Sequence, residues 1–145
     1  MNETVLLIDD SKFLRRINEL AVSRSGYLVL VAADGDEGLR LARERVPDVI
    51  VLDMMLPKLS GEQLIQTLKA EPNTAQIPII VLSSLPQSNE TKLKDAGAAL
   101  YLEKSKLAIE SGSTILLQAI GSVLRQRSQN SRKSIATAPD RGVIR

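Results

Sequence analysis

Histidine and cysteine are both absent from the 145 residues. With them go the commonest general base, the usual zinc ligands, the thiolate nucleophile and any disulfide framework. Aromatic side chains make up 2% of the chain, one Phe and two Tyr with no Trp, so the core must be built from Leu, Ile, Val and Ala. A stacking platform for nucleobases is argued against on the same ground. No apolar run approaches the roughly 20 residues that span a bilayer. Met1-Asn2-Glu3-Thr4 has neither the charged nor the apolar region of a secretory leader, so the expected location is the cytoplasm. Carboxylate and lysine chemistry is what remains.

What is present is a balanced globular composition, 43% hydrophobic and 25% charged, in a chain long enough for one hydrophobic core and too short for two ordinary domains. The net charge of +2 conceals an asymmetry: residues 1 to 120 carry 13 Lys and Arg against 16 Asp and Glu, whereas 121 to 145 carry 6 against 1. The basic balance belongs to the tail. Arg125, Arg127, Arg132 and Lys133 lie there without aromatics or a DNA-binding motif, which reads as a solvated linker and argues against a nucleic-acid partner.

Strand-like runs at Val5 to Ile8, Tyr27 to Ala32, Val49 to Leu52, Ile77 to Leu82 and Ala98 to Leu102 alternate with helical patterns. Four apolar residues in a row leave no polar face for water, so such runs predict buried parallel strands in an α/β fold with a doubly wound sheet. The first helix should follow Asp10 or Ser11 as cap. It is expected to bury one face carrying Phe13, Ile17, Leu20 and Arg24 with Leu14 and Ala21 beside them. The second runs from about Gly35 to Arg45 before Pro47, and the third opens at Ser60-Gly61 and breaks at Pro72. Between Ser88 and Asp95 only Leu93 is a strong anchor, predicting a short or frayed fourth helix. The fifth is expected from Thr114 with Ser113 as cap and a stripe of Ile115, Leu116, Ala119, Ile120, Val123 and Leu124. Beyond Arg127 the period vanishes, so residues 1–128 are read as the domain and 129–145 as a basic linker or disordered tail.

The chemistry-bearing residues follow the strands. Asp9 and Asp10 come after the first, Asp53 after the third, Ser83 and Ser84 after the fourth and Lys104 after the fifth. Singly, each has a plain structural reading: Asp9, Asp10 and the serines as helix caps, Asp53 as a turn residue, Lys104 as a solvated charge. Together they converge, because a doubly wound sheet brings strand carboxyl ends to one crevice. Three carboxylates at one edge repel unless a cation neutralises them, and hard oxygen ligands suit Mg²⁺ beside an aspartate able to act as nucleophile.

The chain resembles a response-regulator receiver domain, the phosphoacceptor module of two-component signalling, from residue 3 to about 128. The motifs that carry the resemblance are Val5-Leu-Leu-Ile-Asp9-Asp10-Ser11, Ala33-Asp34-Gly35, Pro47-Asp48-Val-Ile-Val-Leu-Asp53-Met-Met-Leu-Pro57-Lys-Leu-Ser-Gly61, Ile79-Ile-Val-Leu-Ser83-Ser84 and Gly97-Ala-Ala-Leu-Tyr101-Leu-Glu-Lys104. The resemblance implies a five-stranded flavodoxin-like (βα)5 fold with strand order 2-1-3-4-5, a family whose member serves as the standard illustration of that order. It further implies that Asp53 accepts a phosphoryl group, and that Asp9, Asp10, Asp53 and the backbone carbonyl of Met55 hold Mg²⁺. Ser83 and Lys104 would contact the phosphoryl group, and Tyr101 would be the switch, turning inward as Ser83 vacates space. Met55 and Leu85, two residues after Asp53 and Ser83, would tune hydrolysis.

Two departures from the family pattern stand out. Ser105 follows Lys104 where the family usually has proline in a cis bond, and a non-proline cis bond costs about 2.5–4 kcal/mol, which favours trans here. The stretch from Ser105 to Gly112 is also longer than usual. The implied function is a phosphorylation-dependent signalling switch, not an enzyme. The alternative is a degenerate receiver that binds a partner without phosphorylation, against which the intact Asp9, Asp10, Asp53 and Lys104 set argues. A phosphatase with an aspartyl nucleophile lacks the paired Asp-x-Asp after a strand, and no Gly-x-Gly-x-x-Gly follows the first strand to hold a dinucleotide. The implied partners are a sensor histidine kinase or phosphotransfer protein and a downstream protein or output domain, with room for a phosphorylation-dependent dimer and no membrane insertion.

Overall fold

The computed structural model describes residues 2–54, 56, 58–83, 94–104 and 112–137, with backbone alone at 112, 113 and 130–137. Five parallel strands, β1 (Thr4–Ile8), β2 (Leu28–Ala32), β3 (Val49–Asp53), β4 (Ile79–Ser83) and β5 (Leu100–Glu103), form one sheet in the order β2-β1-β3-β4-β5. The described helices are α1 (Lys12–Arg24), α2 (Gly35–Arg45), α3 (Gly61–Ala70) and α4 (Gly112–Thr137). Fold class and strand order are those expected. The expected helix at Ser88 to Asp95 lies outside the described residues except for Lys94 and Asp95, which are helical. Among the described residues no helix is long and apolar enough to cross a membrane.

The central strands are buried on both sides, and the pleat sorts their residues by parity. Leu6, Ile8, Ile50, Leu52, Ile79 and Val81 face the core under α2 and α3, while Val5, Leu7, Val49, Val51, Ile80 and Leu82 face the core under α1 and α4. Neither face of these strands can therefore tolerate a charge, and polar chemistry is confined to the strand ends. The register puts Ile8 beside Leu52 and Asp53 beside Leu82, so the residues after β1 and the last residues of β3 and β4 reach one edge together.

Helix starts agree with the sequence at three places. Ser11 caps α1 by accepting from the Leu14 N–H, Asp34 caps α2 through Glu37, and Ser60 with Gln63 forms a capping box on α3. Gly61 is needed at the last of these, since a Cβ there would lie 2.8 Å from the Met54 Cα. That close approach brings the start of α3 against the residue following Asp53.

Two helices depart from expectation. On α1 only Val22 is fully buried, whereas Phe13, Leu14 and Ile17 are exposed, Phe13 at 71%. The helix packs on β1, β2 and α4, which cover Val22, while Phe13, Leu14 and Ile17 in its first turns stay open to solvent. On α4, Ser113 lies inside the helix, not at its cap, and the helix continues to Thr137 rather than ending near Arg127. Among the side chains described, through residue 129, Leu124 is the last buried one. No Gly or Pro interrupts the chain from Ser122 to Ala138, so no strong breaker stops the helix there. The stretch from residue 129 read as linker or disordered tail is thus helical as far as Thr137.

One strained position closes α2. Val46 adopts a left-handed conformation (φ 40°), its N–H bonding the Ala42 carbonyl, and is 47% exposed. A β-branched residue is disfavoured there, and Pro47 follows directly.

Candidate functional site

The β1 carboxyl end and the start of α1 build the acidic corner. The Asp9 N–H donates to the Ala32 carbonyl of β2 at 3.1 Å, and the Asp9 side chain is buried at 4% exposure. Its Oδ1 accepts the Ser11 N–H at 2.9 Å, while Oδ2 is buried with no hydrogen-bond partner among the described residues. Asp10 is exposed beside it, and the β3 end supplies Asp53, 2% exposed. One carboxylate oxygen from each of Asp9, Asp10 and Asp53 lies within 4.8 Å of the others.

From the other side, β5 ends at Glu103 and hands the chain to Lys104, whose Nζ donates to Asp53 Oδ2 at 2.8 Å. A buried carboxylate is costly unless paired, and Lys104 is that pair. One ammonium does not balance three carboxylates. Burial pushes the Asp9 carboxyl above its usual range; the Ser11 N–H opposes this, the negative charge of Asp53 adds to it, and Lys104 again opposes it.

These residues fit a small divalent cation. The three oxygens are hard donors on three separate side chains, and the buried Oδ2 of Asp9 has no hydrogen-bond partner among the described residues.

Of the residues singled out in the sequence, Asp9, Asp10, Asp53 and Lys104 converge, and Ser83 lies fully buried at the end of β4, next to β3. Tyr101 is not at the rim. It pairs with Val81, is 7% exposed and sits in the core under α2 and α3. The pleat decides this, since Leu100 and Leu102 face the opposite core. The ring is thus buried against that core in this structure. Met55, Leu85 and the Lys104-Ser105 bond lie outside the described residues.

Sequence reasoning passed over Arg15, whose Nη1 donates to the Asp9 carbonyl at 2.8 Å. A basic residue one turn into a helix carries no signal of its own, and only the fold brings it back to β1. It also passed over Lys58, which follows the site loop in a left-handed conformation (φ 70°) and pairs with the α2 cap Asp34 at 3.4 Å. That pair, with the Ser11 cap, ties the loops around the acidic corner to helix starts.

Comparison with known proteins agrees with this geometry. The gliding motility regulatory protein of Myxococcus xanthus is 41% identical over 118 residues, 80% of this chain and 14% of that protein. The DNA-binding dual master transcriptional regulator RpaA of Synechocystis is 38% identical over 102 residues, 69% of this chain and 42% of that protein. The chain thus spans less than half of the length of either relative. Among solved structures, the chemotaxis response regulator CheY4 of Vibrio cholerae superposes with a TM-score of 0.75 at 26% identity, covering 85% of this chain and 99% of that one. The family model for the response regulator receiver domain matches residues 5–110. On the fold, the acidic strand edge and these matches, the chain belongs to the response regulator receiver domain family, the receiver module of two-component signalling.

Proposed function

We propose that this domain is a phosphorylation-dependent switch in which Asp53 takes a phosphoryl group from a histidine kinase or phosphotransfer protein, with Mg²⁺ at Asp9, Asp10 and Asp53. The observation that carries the reading is the environment of Asp53: a buried carboxylate held by Lys104 at 2.8 Å, in a cluster where Asp9 Oδ2 has no partner among the described residues. A purely structural ion pair has no need of two further carboxylates. Their mutual repulsion is intelligible where a cation and phosphoryl oxygens are to be received.

In the proposed step a carboxylate oxygen of Asp53 attacks phosphorus in line. The P–O bond to Asp53 forms as the P–N bond to the donor imidazole breaks, and the electron pair leaves with the imidazole nitrogen. Lys104 orients the carboxylate and offers its ammonium to the oxygens on which charge gathers. Bound Mg²⁺ would supply further neutralisation of those oxygens. Ser83 stands at the adjacent strand end, where a hydroxyl can meet a phosphoryl oxygen. A new dianion is then read by a downstream protein or by an output domain joined to the receiver, as in relatives that are transcriptional regulators. The intact carboxylate and lysine set gives no support to a receiver working without phosphorylation.

Acetyl phosphate with intact-mass spectrometry tests the reading. One added phosphoryl group is expected in Mg²⁺ and none in EDTA or in Asp53→Asn. Equal yield in Asp53→Asn would reject Asp53 as the acceptor, and equal yield in EDTA would reject the Mg²⁺ requirement.

A further inference from the structure

Asp9 is held at three of its four polar atoms. Its N–H is tied to Ala32 of β2, its Oδ1 to the Ser11 N–H, and its carbonyl to the guanidinium of Arg15 at 2.8 Å. Only Oδ2 is left. The third of these ties is unexpected, because a guanidinium within reach of an acidic cluster would ordinarily pair with a carboxylate, where a charge-assisted fork is strongest. Among the described residues Arg15 forms no ion pair with Asp9, Asp10 or Asp53, and its donor goes to a backbone carbonyl instead. The Arg15 N–H itself closes the first backbone bond of α1 on the Ser11 carbonyl at 2.9 Å. One residue thus fastens both its backbone and its side chain across the corner that carries Asp9, Asp10 and Ser11.

We propose that Arg15 is a positioning residue for the cation site: by clamping the Asp9 carbonyl it fixes the β1–α1 corner in the geometry that leaves Asp9 Oδ2 available to a divalent cation. The inference rests on the Mg²⁺ reading above and deepens it. Two effects of Arg15 oppose each other. Its charge repels a cation, whereas its bond holds the ligands in place, and partners that orient metal ligands are commonly worth ten- to a hundredfold in affinity. The placement of Nη1 on a carbonyl, with no carboxylate drawn away from the cluster, decides for orientation. Loss of the side chain frees the corner to rotate and lets the Asp9 carboxylate leave the position that Ser11 defines.

The test is calorimetric titration of MgCl₂ into the wild type, Arg15→Ala and Arg15→Lys, with ¹³C/¹⁵N NMR on the same proteins to establish folding. Arg15→Ala is expected to weaken Mg²⁺ binding roughly tenfold. Arg15→Lys, which keeps a long donor, should recover most of that loss. The Asp9 carbonyl ¹³C resonance should move in Arg15→Ala even without Mg²⁺, reporting the lost bond directly. Affinity unchanged within twofold in a folded Arg15→Ala overturns the inference and leaves the Mg²⁺ reading intact. Tighter binding overturns it too, showing that repulsion dominates. A wild type that binds no Mg²⁺ at millimolar concentration, while its Asp9 resonance still responds to the substitution, rejects the cation reading and this inference with it.

Discussion

Replacing Asp9 by Asn should make the metal-free domain more stable. The carboxylate oxygens of Asp9, Asp10 and Asp53 lie within 4.8 Å of one another, and two unit charges at that separation repel by about 3.5 kcal/mol at an effective dielectric constant near 20. Lys104 at 2.8 Å from Asp53, and the Ser11 N–H on Asp9, cancel part of this. An asparagine keeps the oxygen that Ser11 needs and puts an amide donor among the carboxylates in place of the partnerless Oδ2. The net gain should be about 1–2 kcal/mol, or roughly 3–4 °C in Tm for each kcal/mol in a domain of this size. The pH dependence carries the sign. The Asp9 carboxyl is raised in the folded state above its ordinary value of 3.8, so folding disfavours its ionised form. The penalty is complete above the folded-state pKa and disappears as pH falls from that value to the unfolded one. The advantage of Asp9→Asn should therefore be full near neutral pH and fade on acidification. Thermal and urea unfolding in EDTA across that range provide the assay. In saturating Mg²⁺ the order should close or reverse, since a ligand bound only by the folded wild type adds about 1.4 kcal/mol per decade of concentration above Kd. An Asn variant that is no more stable than wild type in EDTA at neutral pH would refute the electrostatic account of the site.

Three further outcomes are expected. Val46→Gly relieves a left-handed β-branched residue and should raise stability by about 0.5–1 kcal/mol after the greater flexibility of unfolded glycine is subtracted, visible as a higher urea midpoint with unchanged slope; Val46→Ala, still disfavoured at φ 40°, should recover less. Lys104→Ala leaves the buried Asp53 carboxylate without its ion pair. It should cost about 2 kcal/mol of stability, less than a fully buried pair because Lys104 keeps 26% side-chain exposure, and should slow phosphorylation by acetyl phosphate roughly 10²-fold; a rate equal to wild type would remove Lys104 from the site. Met55 and Leu85 offer no hydrogen bond to an attacking water, so phospho-Asp53 should outlive that of Met55→Asn/Leu85→Glu at fixed Mg²⁺, measured by decay of the phosphorylated mass, and equal lifetimes would reject tuning by these side chains.

Much of this protein was determined by local chemistry. Runs such as Val5 to Ile8 and Val49 to Leu52 have no polar side to offer water, so they had to become central strands. A doubly wound sheet then delivers Asp9, Asp10, Asp53 and Lys104 to one edge, whatever the side-chain details. Capping at Ser11 and Ser60 was equally readable, because a short hydroxyl ahead of an apolar period answers the unpaired N–H groups of a first turn. What only the tertiary structure decided depends on how the elements pack, which no local pattern states. Phe13 and Ile17 have helical spacing but stand exposed, since spacing states which residues share a face and not whether anything covers it. Tyr101 is drawn inside by the pleat of an edge strand, which no periodicity over four residues can orient. The last helix continues past Leu124, the last buried side chain described, because helix formation and amphipathic burial are separate causes. Arg15 meets Asp9 only because α1 folds back beside the strand it follows, a contact set by three-dimensional closure of the corner and carried by no pattern in the chain.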